Sequence, residues 1–218
     1  MSALAPPFAR LLAAARAAAG AAAPAADAVL ALGPAAGGGV TPLPAVDALP
    51  ERLLVLGWLG THRDARVPLL RSLWDLEEAA RATGRATIAL RFAPLVGPGA
   101  PLPSQLATAR LDARTERALL EPLLEADAVD GLARLLAGAV PWRGWYEVCG
   151  RDAVTVGELA VMAAAGAWGA PVAAVAAWEP AAEVLAAQGL AEWAPWAAAC
   201  GVTPRPIAAA MPAGAVRS

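Results

Sequence analysis

Glu51-Arg-Leu-Leu-Val-Leu-Gly-Trp58 contains a continuous apolar run, residues 53–58, and it opens the stretch of sequence that decides the fold. An amphipathic segment, 67–84, follows and is closed by Gly84, and a second apolar run, Ala86-Thr-Ile-Ala-Leu-Arg-Phe92, comes directly after it. These three segments predict a strand, a helix and a strand, because a crossover helix lets the two strands run parallel and buried on both faces. We therefore expect an α/β protein with a mostly parallel sheet.

Several motifs in and after this stretch are similar to those of a known family. They are Trp74-Asp-Leu-Glu77, Arg91-Phe-Ala-Pro-Leu-Val-Gly-Pro-Gly99, and the segments 125–134 and 144–160. In this order they resemble the second half of an atypical or extended short-chain dehydrogenase/reductase (SDR), of the NmrA-like NAD(P)-binding kind. The resemblance covers residues 26–160 and implies a partial Rossmann-like fold, in which helices flank the sheet.

The resemblance also locates the catalytic residues of the family, and this chain departs from all of them. The family's Ser or Thr falls on Gly57 or Trp58, its Tyr on Leu69 and its Lys on Leu73. The chemistry needs a phenol of lowered pKa and a neighbouring ammonium group. The sequence has no lysine, and its one tyrosine, Tyr146, lies in a later predicted strand. The resemblance thus favours a degenerate, non-catalytic member of the superfamily.

The dinucleotide-binding half of the family's fold is expected to be missing. By comparison with the family, the strand predicted at Asp27–Gly33 is the fourth strand, and residues 1–25 are an Ala-rich helix entered through Pro6 and Pro7. The glycines between Pro34 and Gly39 precede Val-Thr-Pro, which does not begin a helix whose amides could hold a pyrophosphate. We expect a connecting loop there and no cofactor.

The chain is expected to form one Rossmann-like domain over residues 1–218, with its N-terminal helix in 1–25, an SDR-like core in 26–160 and a small helical C-terminal extension in 161–218. Without strands 1 to 3 of the family, the edge at Ala28–Leu32 would be open and uncharged. We expect a second copy, a partner protein or other residues of this chain to cover it.

Local signals predict the elements that follow the central unit. Asp127 is a candidate N-cap, Thr155 and Glu158 form a capping box, and residues 101–122 are expected to be a broken loop. The remaining expectations are a strand at 145–149, a helix at 156–165, a strand at 172–177, helices at 181–188 and 192–200, and an irregular end from residue 204.

The amino-acid composition limits which cellular location and which classes of partner are expected. Hydrophobic residues are 58% of the chain, its net charge is −2, and its arginines are scattered, which argues against nucleic acid as a partner. Two cysteines, Cys149 and Cys200, and one histidine provide neither a disulfide scaffold nor a metal site, so we expect free thiols in the cytoplasm. The uncharged segment 159–178 contains glycine and proline and has acidic flanks, so membrane insertion is not favoured.

The weak site candidates are His62 and Asp64 as an acid/base pair, and Gly57, Arg91, Gly97 and Gly99 as cofactor contacts. A lone histidine in a loop is more often simply solvated than catalytic, since the geometry of an acid/base pair has to be in place first. Three functions remain open. The first is a non-catalytic subunit or interaction module, and the abundance of tryptophan over other aromatics is compatible with buried subunit contacts. The second is an NAD(P)-dependent oxidoreductase or epimerase-like enzyme whose dinucleotide-binding half is supplied by another chain or is lost from the gene model. The third is a small-ligand binding module.

Overall fold

The strand–helix–strand unit forms the centre of a four-stranded parallel sheet in the computed structural model, which describes residues 4–24, 28–36, 38–98, 100–106, 110–168 and 182–211. The elements follow in the order α1 (Pro6–Ala19), β1 (Val29–Leu32), β2 (Arg52–Trp58), α2 (Pro68–Ala82), β3 (Ala86–Phe92), β4 (Leu95–Val96), α3 (Pro101–Leu106), α4 (Ala113–Glu116), β5 (Leu119–Leu120), β6 (Leu123–Leu124), α5 (Glu125–Leu136), β7 (Trp145–Val148), β8 (Val154–Thr155), α6 (Val156–Ala164), α7 (Ala182–Gln188) and α8 (Trp193–Cys200).

The sheet has the strand order β1-β2-β3-β7, and every neighbouring pair is parallel. Leu54 of β2 lies opposite Ile88 of β3, and Leu90 of β3 lies opposite Tyr146 of β7. Two small sheets accompany it, a parallel pair of β4 with β6 and an antiparallel pair of β5 with β8. The predicted α/β class, a partial Rossmann-like sheet flanked by helices, is therefore confirmed.

Side chains of the central strands alternate between two packed layers, as the period of a strand requires. Leu54 and Leu56 of β2 belong to one cluster with Leu11 of α1 and Leu132 of α5. Leu53, Val55 and Ala89 belong to a second cluster with Leu76 and Ala80 of α2. The sheet is thus buried on both faces, which explains why its strands are continuous apolar runs.

Several local predictions are confirmed at their boundaries. Helix α1 has Pro at its first two positions, and the capping box of Thr155 and Glu158 is formed at the start of α6. The two predicted C-terminal helices are present as α7 and α8, and each is followed by a glycine with positive φ, Gly189 and Gly201. The predicted strand at 172–177 lies outside the described residues.

Two local predictions are wrong. Asp127 is not an N-cap, because α5 begins at Glu125 after the cap residue Leu124, and Asp127 is instead a buried side chain of the first helical turn. Residues 101–122 are not a simple loop, because they contain α3 and α4, and Asp112 caps α4 by accepting hydrogen bonds from the Arg114 and Thr115 amides.

The C-terminal elements are held on the core by carboxylates. Glu121 accepts a hydrogen bond from the Ala191 amide at 2.7 Å, and Asp152 accepts one from the Ile207 amide at 2.8 Å. Asp127 forms an ion pair with Arg205. Among the residues that the structure describes, no helix combines the length and the apolar character that a membrane crossing requires.

Candidate functional site at the carboxyl ends of the strands

Three strand ends and one helix start meet at the carboxyl edge of the sheet. The strands β1, β2 and β3 run parallel, so their last residues lie on the same side of the molecule. The residues before α1 join them, since Leu4 pairs with Ala35 and the Ala5 amide donates to the Pro34 carbonyl at 2.8 Å. Ligands of open parallel sheets bind at this edge, which makes it the candidate ligand site of the fold.

An aromatic cluster fills the space between α1 and the strand ends. The ring of Phe8 lies 4.7 Å from the Trp58 ring and 5.9 Å from the Phe92 ring, measured between centroids. The exposed fractions of these residues are 0%, 2% and 0%, respectively. Because interiors are packed without large voids, no ring-sized ligand can share this space unless the cluster moves.

The start of α1 has fewer hydrogen-bond donors than an ordinary helix start. Pro6 and Pro7 carry no amide proton, and the Ala9 amide already donates to the Ala5 carbonyl at 3.0 Å. A helix N-terminus attracts phosphate through free amide groups. The two prolines therefore weaken this end of α1 as an anion site.

The positions that align with the SDR catalytic residues are occupied by apolar groups. A Cβ atom on Gly57 would lie 3.7 Å from Leu73 Cδ1 and 3.6 Å from the Thr61 hydroxyl oxygen. That hydroxyl donates to the Trp58 carbonyl at 2.7 Å, and Leu73 is fully buried. Leu69 is half-buried. None of these side chains is an acid or a base of the usual kind for proton transfer.

His62 and Asp64 lie in the loop after β2, where their side chains are 58% and 73% exposed. The Asp64 backbone amide donates to His62 Nδ1 at 3.2 Å, so in this geometry Nδ1 is an acceptor. The Asp64 carboxylate, 3.7 Å from the same nitrogen, consequently receives no proton from it. The geometry is that of a local contact between the imidazole and a backbone amide, and not of a carboxylate that orients an imidazole.

The Arg91 side chain points toward α2, where its guanidinium group is hydrogen-bonded to Glu77. It donates to Glu77 from Nε at 3.0 Å and from Nη2 at 2.7 Å. Its guanidinium carbon lies 5.4 Å from the Trp74 ring and 4.4 Å from the Trp145 ring. The sequence analysis did not identify Glu77 as the partner of Arg91. Glu77 lies four residues after Leu73 and therefore on the apolar face of α2, and a carboxylate on that face indicates a buried cation partner.

Gly97 lies elsewhere, at a pocket of about 610 Å³ between α1, α5 and the C-terminal segment, which both apolar and charged residues line. Leu124, Val129 and Ala210 are among its lining residues. Gly99 lies outside the described residues. The structure therefore places Gly57, Arg91 and Gly97 in three different surroundings and does not bring them together.

A second pocket, of about 560 Å³, lies beside Gly60 at the end of β2. Val67 and Leu70 at the start of α2, Thr115 of α4 and Ala187 of α7 line it. A Cβ atom on Gly60 would lie only 2.8 Å from the Ala187 carbonyl oxygen, so α7 closes directly on this loop. No sequence signal indicated this pocket, because its walls come from distant parts of the chain.

The parallel sheet, its flanking helices and the position of its carboxyl edge define an α/β protein with a Rossmann-like fold. Searches with family models and among curated proteins find no match to this sequence.

Solved structures do share the fold. One is TunA, described as an NAD-dependent NDP-hexosamine 5,6-dehydratase involved in tunicamycin biosynthesis, at a TM-score of 0.52 and 17% identity over 73% of this chain and 60% of that one. Another is MoeE5, solved with UDP-glucose and NAD, at a TM-score of 0.50 and 22% identity over 76% of this chain and 65% of that one. The chain thus spans about three fifths of the length of these structures.

Proposed function

We propose that this chain is a non-catalytic SDR-like protein that acts as a subunit or an interaction module. The observation that carries the proposal is the aromatic cluster of Phe8, Trp58 and Phe92. It occupies the carboxyl edge of the sheet, where open α/β proteins bind their ligands. A protein that keeps this edge closed with its own side chains uses the fold as a scaffold.

The lack of a proton relay supports the same proposal. By the resemblance, Gly57 or Trp58 stands in place of the hydroxyl residue of the SDR motif, Leu69 in place of its phenol and Leu73 in place of its ammonium group. Tyr146 does not substitute for the phenol, because it lies on β7 with its ring 5.4 Å from the Trp196 ring. A buried leucine in place of the ammonium group cannot lower the pKa of a hydroxyl.

The residues at the edge do not fit an NAD(P) molecule held by this chain alone. The pyrophosphate needs the amide groups of a helix start, and Pro6 and Pro7 remove two of them from α1. The space between α1 and the strand ends is filled by Phe8 and Trp58. In this proposal the fold is retained while cofactor binding is lost.

A protein partner or a second copy of the chain is proposed to cover the outer side of β1, at Ala28–Leu32. In the described part of the chain β1 is the terminal strand of the sheet, and Leu30 and Ala31 are half-buried. An uncharged edge strand of this kind readily pairs with another chain. The two buried free cysteines, Cys149 and Cys200, are compatible with a cytoplasmic location, which we include in the proposal.

The rival function is an NAD(P)-dependent enzyme whose nucleotide-binding part is supplied by another polypeptide. The structural neighbour MoeE5 was solved with NAD, and this chain spans 65% of its length. Under this alternative the chain would contribute strands and loops to a shared site. It requires the aromatic cluster to open when the other part binds.

Titration of the purified chain with NADPH and with NAD⁺ tests the proposal. Trp58 reports directly on the edge, so binding there should quench tryptophan fluorescence, and calorimetry provides an independent readout. We expect no saturable signal at ligand concentrations up to millimolar. Saturable quenching at micromolar NADPH, accompanied by heat, would refute the non-catalytic proposal, because this chain would then hold the cofactor by itself.

A further inference from the structure

The opposite edge of the sheet carries a feature that the proposed function does not use. Strand β7 is the last strand of the sheet and pairs with β3 alone among the described residues. The Ala89 amide donates to the Gly144 carbonyl at 3.0 Å, and the Ala93 amide donates to the Val148 carbonyl at 2.9 Å. Because direction alternates along a strand, the amide and carbonyl groups of Trp145 and Glu147 point away from β3.

These outward groups have no hydrogen-bond partner within the described part of the chain. An edge strand with exposed donors and acceptors is a template for one more strand. An extended peptide backbone can satisfy these outward groups of β7, because the amide and carbonyl groups of such a peptide repeat at the same spacing.

A groove of about 590 Å³ lies beside this edge and gives such a backbone a place to bind. One wall is β7 itself, through Trp145, Tyr146 and Glu147, and the other wall is the segment 190–195 that leads into α8. Trp145 is 50% exposed and Leu190 is 57% exposed, so the groove contains two of the five large hydrophobic residues exposed among the described positions. We call it the β7 groove.

The charge of the β7 groove selects the side chains of its occupant. Glu147 and Glu192 line it, and none of the lining residues that the structure describes is basic. One oxygen of Glu147 accepts a hydrogen bond from the Glu192 amide at 3.1 Å, which leaves the other oxygen for a ligand. The nearest stacked cation, Arg91, lies 4.4 Å from the Trp145 ring and is already neutralised by Glu77.

We propose that the β7 groove binds an extended peptide segment of a partner protein, in which basic and apolar side chains alternate, as an added strand next to β7. The backbone of the peptide would pair with Trp145 and Glu147. Because alternate side chains of a strand point to opposite faces, its basic side chains would lie on the face of Trp145 and Glu147 and meet Glu147 and Glu192. Its apolar side chains would lie on the face of Tyr146, toward the wall that contains Leu190. This inference deepens the proposed interaction module and names the chemistry of its partner.

Fluorescein-labelled pentapeptides serve as probes, measured by fluorescence anisotropy against the full chain. The probe Arg-Val-Arg-Val-Arg should bind saturably, and Glu-Val-Glu-Val-Glu should bind at least about tenfold more weakly because like charges would face each other. A third probe, Arg-Pro-Arg-Pro-Arg, keeps the charge but cannot donate hydrogen bonds from its proline nitrogens. Its affinity should therefore also be at least about tenfold lower than that of the Arg-Val probe.

Variants locate the binding to the groove. Leu190→Ser and Glu192→Gln should each weaken the Arg-Val probe several-fold, because they remove an apolar contact and a charge from exposed positions that the fold does not need. Val161→Ser is the matched control, since Val161 is 70% exposed on α6 and is not among the groove residues. The Val161→Ser variant should bind the Arg-Val probe with the same affinity as the unaltered chain.

Amide exchange followed by NMR shows whether a strand is added. The Trp145 and Glu147 amides should exchange quickly in the free chain and slow down when the Arg-Val probe is added. Slow exchange of both amides in the free chain would mean that residues 172–177 of this chain or a second copy already covers the edge, and light scattering separates these two cases. Either case overturns the proposal, and so does equal binding of the Glu-Val probe.

Failure of this inference is distinguishable from failure of the proposed function. Absence of peptide binding together with absence of NADPH binding removes the groove proposal and leaves the non-catalytic proposal in place. Saturable NADPH binding together with specific peptide binding removes the non-catalytic proposal and leaves the groove.

Discussion

Arg91 and Glu77 form a two-point ion pair across the space between β3 and α2, with both side chains almost completely buried. Arg81 from the next turn of α2 also contacts Glu77, at 3.1 Å. The pair lies between two tryptophan rings, Trp74 and Trp145. A charged residue that the sequence motif suggested as a cofactor contact is therefore a connection between the sheet and its helix.

Removing one partner of this pair should destabilise the fold strongly. Glu77→Gln leaves the Arg91 charge buried without its counter-ion, and we expect a loss of about 3–5 kcal/mol in the free energy of unfolding. Urea denaturation followed by far-UV circular dichroism measures it. Glu78→Gln is the matched control, because that side chain is half exposed and its pair with Arg81 lies on the surface.

The double variant Glu77→Leu with Arg91→Met separates the cost of an unpaired charge from the loss of the pair itself. Apolar replacement of both partners is often close to neutral, so it should recover most of the stability lost in Glu77→Gln. A double variant as unstable as the single one would contradict this account of the pair.

The aromatic cluster should be a stability element in this protein. Phe8→Ala removes a fully buried ring that contacts Trp58 and Phe92, and we expect it to cost about 3–5 kcal/mol. Leu12→Ala, on the same helix but half-buried, should cost clearly less. Thermal unfolding of both variants provides the comparison, and equal losses would show that the cluster is not tightly packed.

The capping box predicts a specific dependence of stability on pH. The Thr155 amide and, second, the Thr155 hydroxyl hold the pKa of Glu158 below its ordinary value by hydrogen bonding to the carboxylate. Since the folded-state pKa is lowered, this contribution to stability is complete above the unfolded-state pKa and is lost as the pH falls through the folded-state pKa.

Thermal melts of the unaltered chain and of Glu158→Gln, recorded from neutral to strongly acidic pH, check this dependence. The unaltered chain should be the more stable at neutral pH, and the difference should vanish in acid because a protonated Glu158 carries no charge. A difference that does not change with pH would contradict the capping box as its source.

The sequence predicted those parts of the fold that depend on local chemistry. The apolar runs around Leu54 and Ile88 predict buried parallel strands because nothing polar interrupts them, and Thr155 with Glu158 predicts a helix start because the two side chains satisfy free amides within one turn. Gly189 and Gly201 mark helix ends because they adopt positive φ readily. Each of these signals lies within a few residues of the structure it specifies.

Contacts between distant segments were not predictable in this way. Arg91 and Glu77 are 14 residues apart, and Asp127 and Arg205 are 78 apart. A single sequence shows that each carboxylate lies on a helix, but not which cation reaches it. The prediction of Asp127 as an N-cap was wrong for this reason, because the residue type suits a cap and only the tertiary fold brings Arg205 to it.

Asp127 should therefore control the docking of the C-terminal segment. Its Oδ2 accepts a hydrogen bond from the Arg205 amide at 2.7 Å, and its Oδ1 accepts one from Arg205 Nε at 2.6 Å. Asp127→Asn removes the charge and places an amide donor against these donors. Because Arg205 is half exposed, we expect a moderate loss of about 1–3 kcal/mol.

Hydrogen exchange distinguishes release of the segment from general loosening. In Asp127→Asn, the Arg205 amide should lose its protection, whereas the Ile207 amide should be affected less because Asp152 holds it separately at 2.8 Å. Asp130→Asn, an exposed position one turn along the same helix, is the control and should leave both amides unchanged. Equal exposure of the two amides in Asp127→Asn would mean that the segment is released as one unit, so that Asp127 alone determines whether it stays docked on α5.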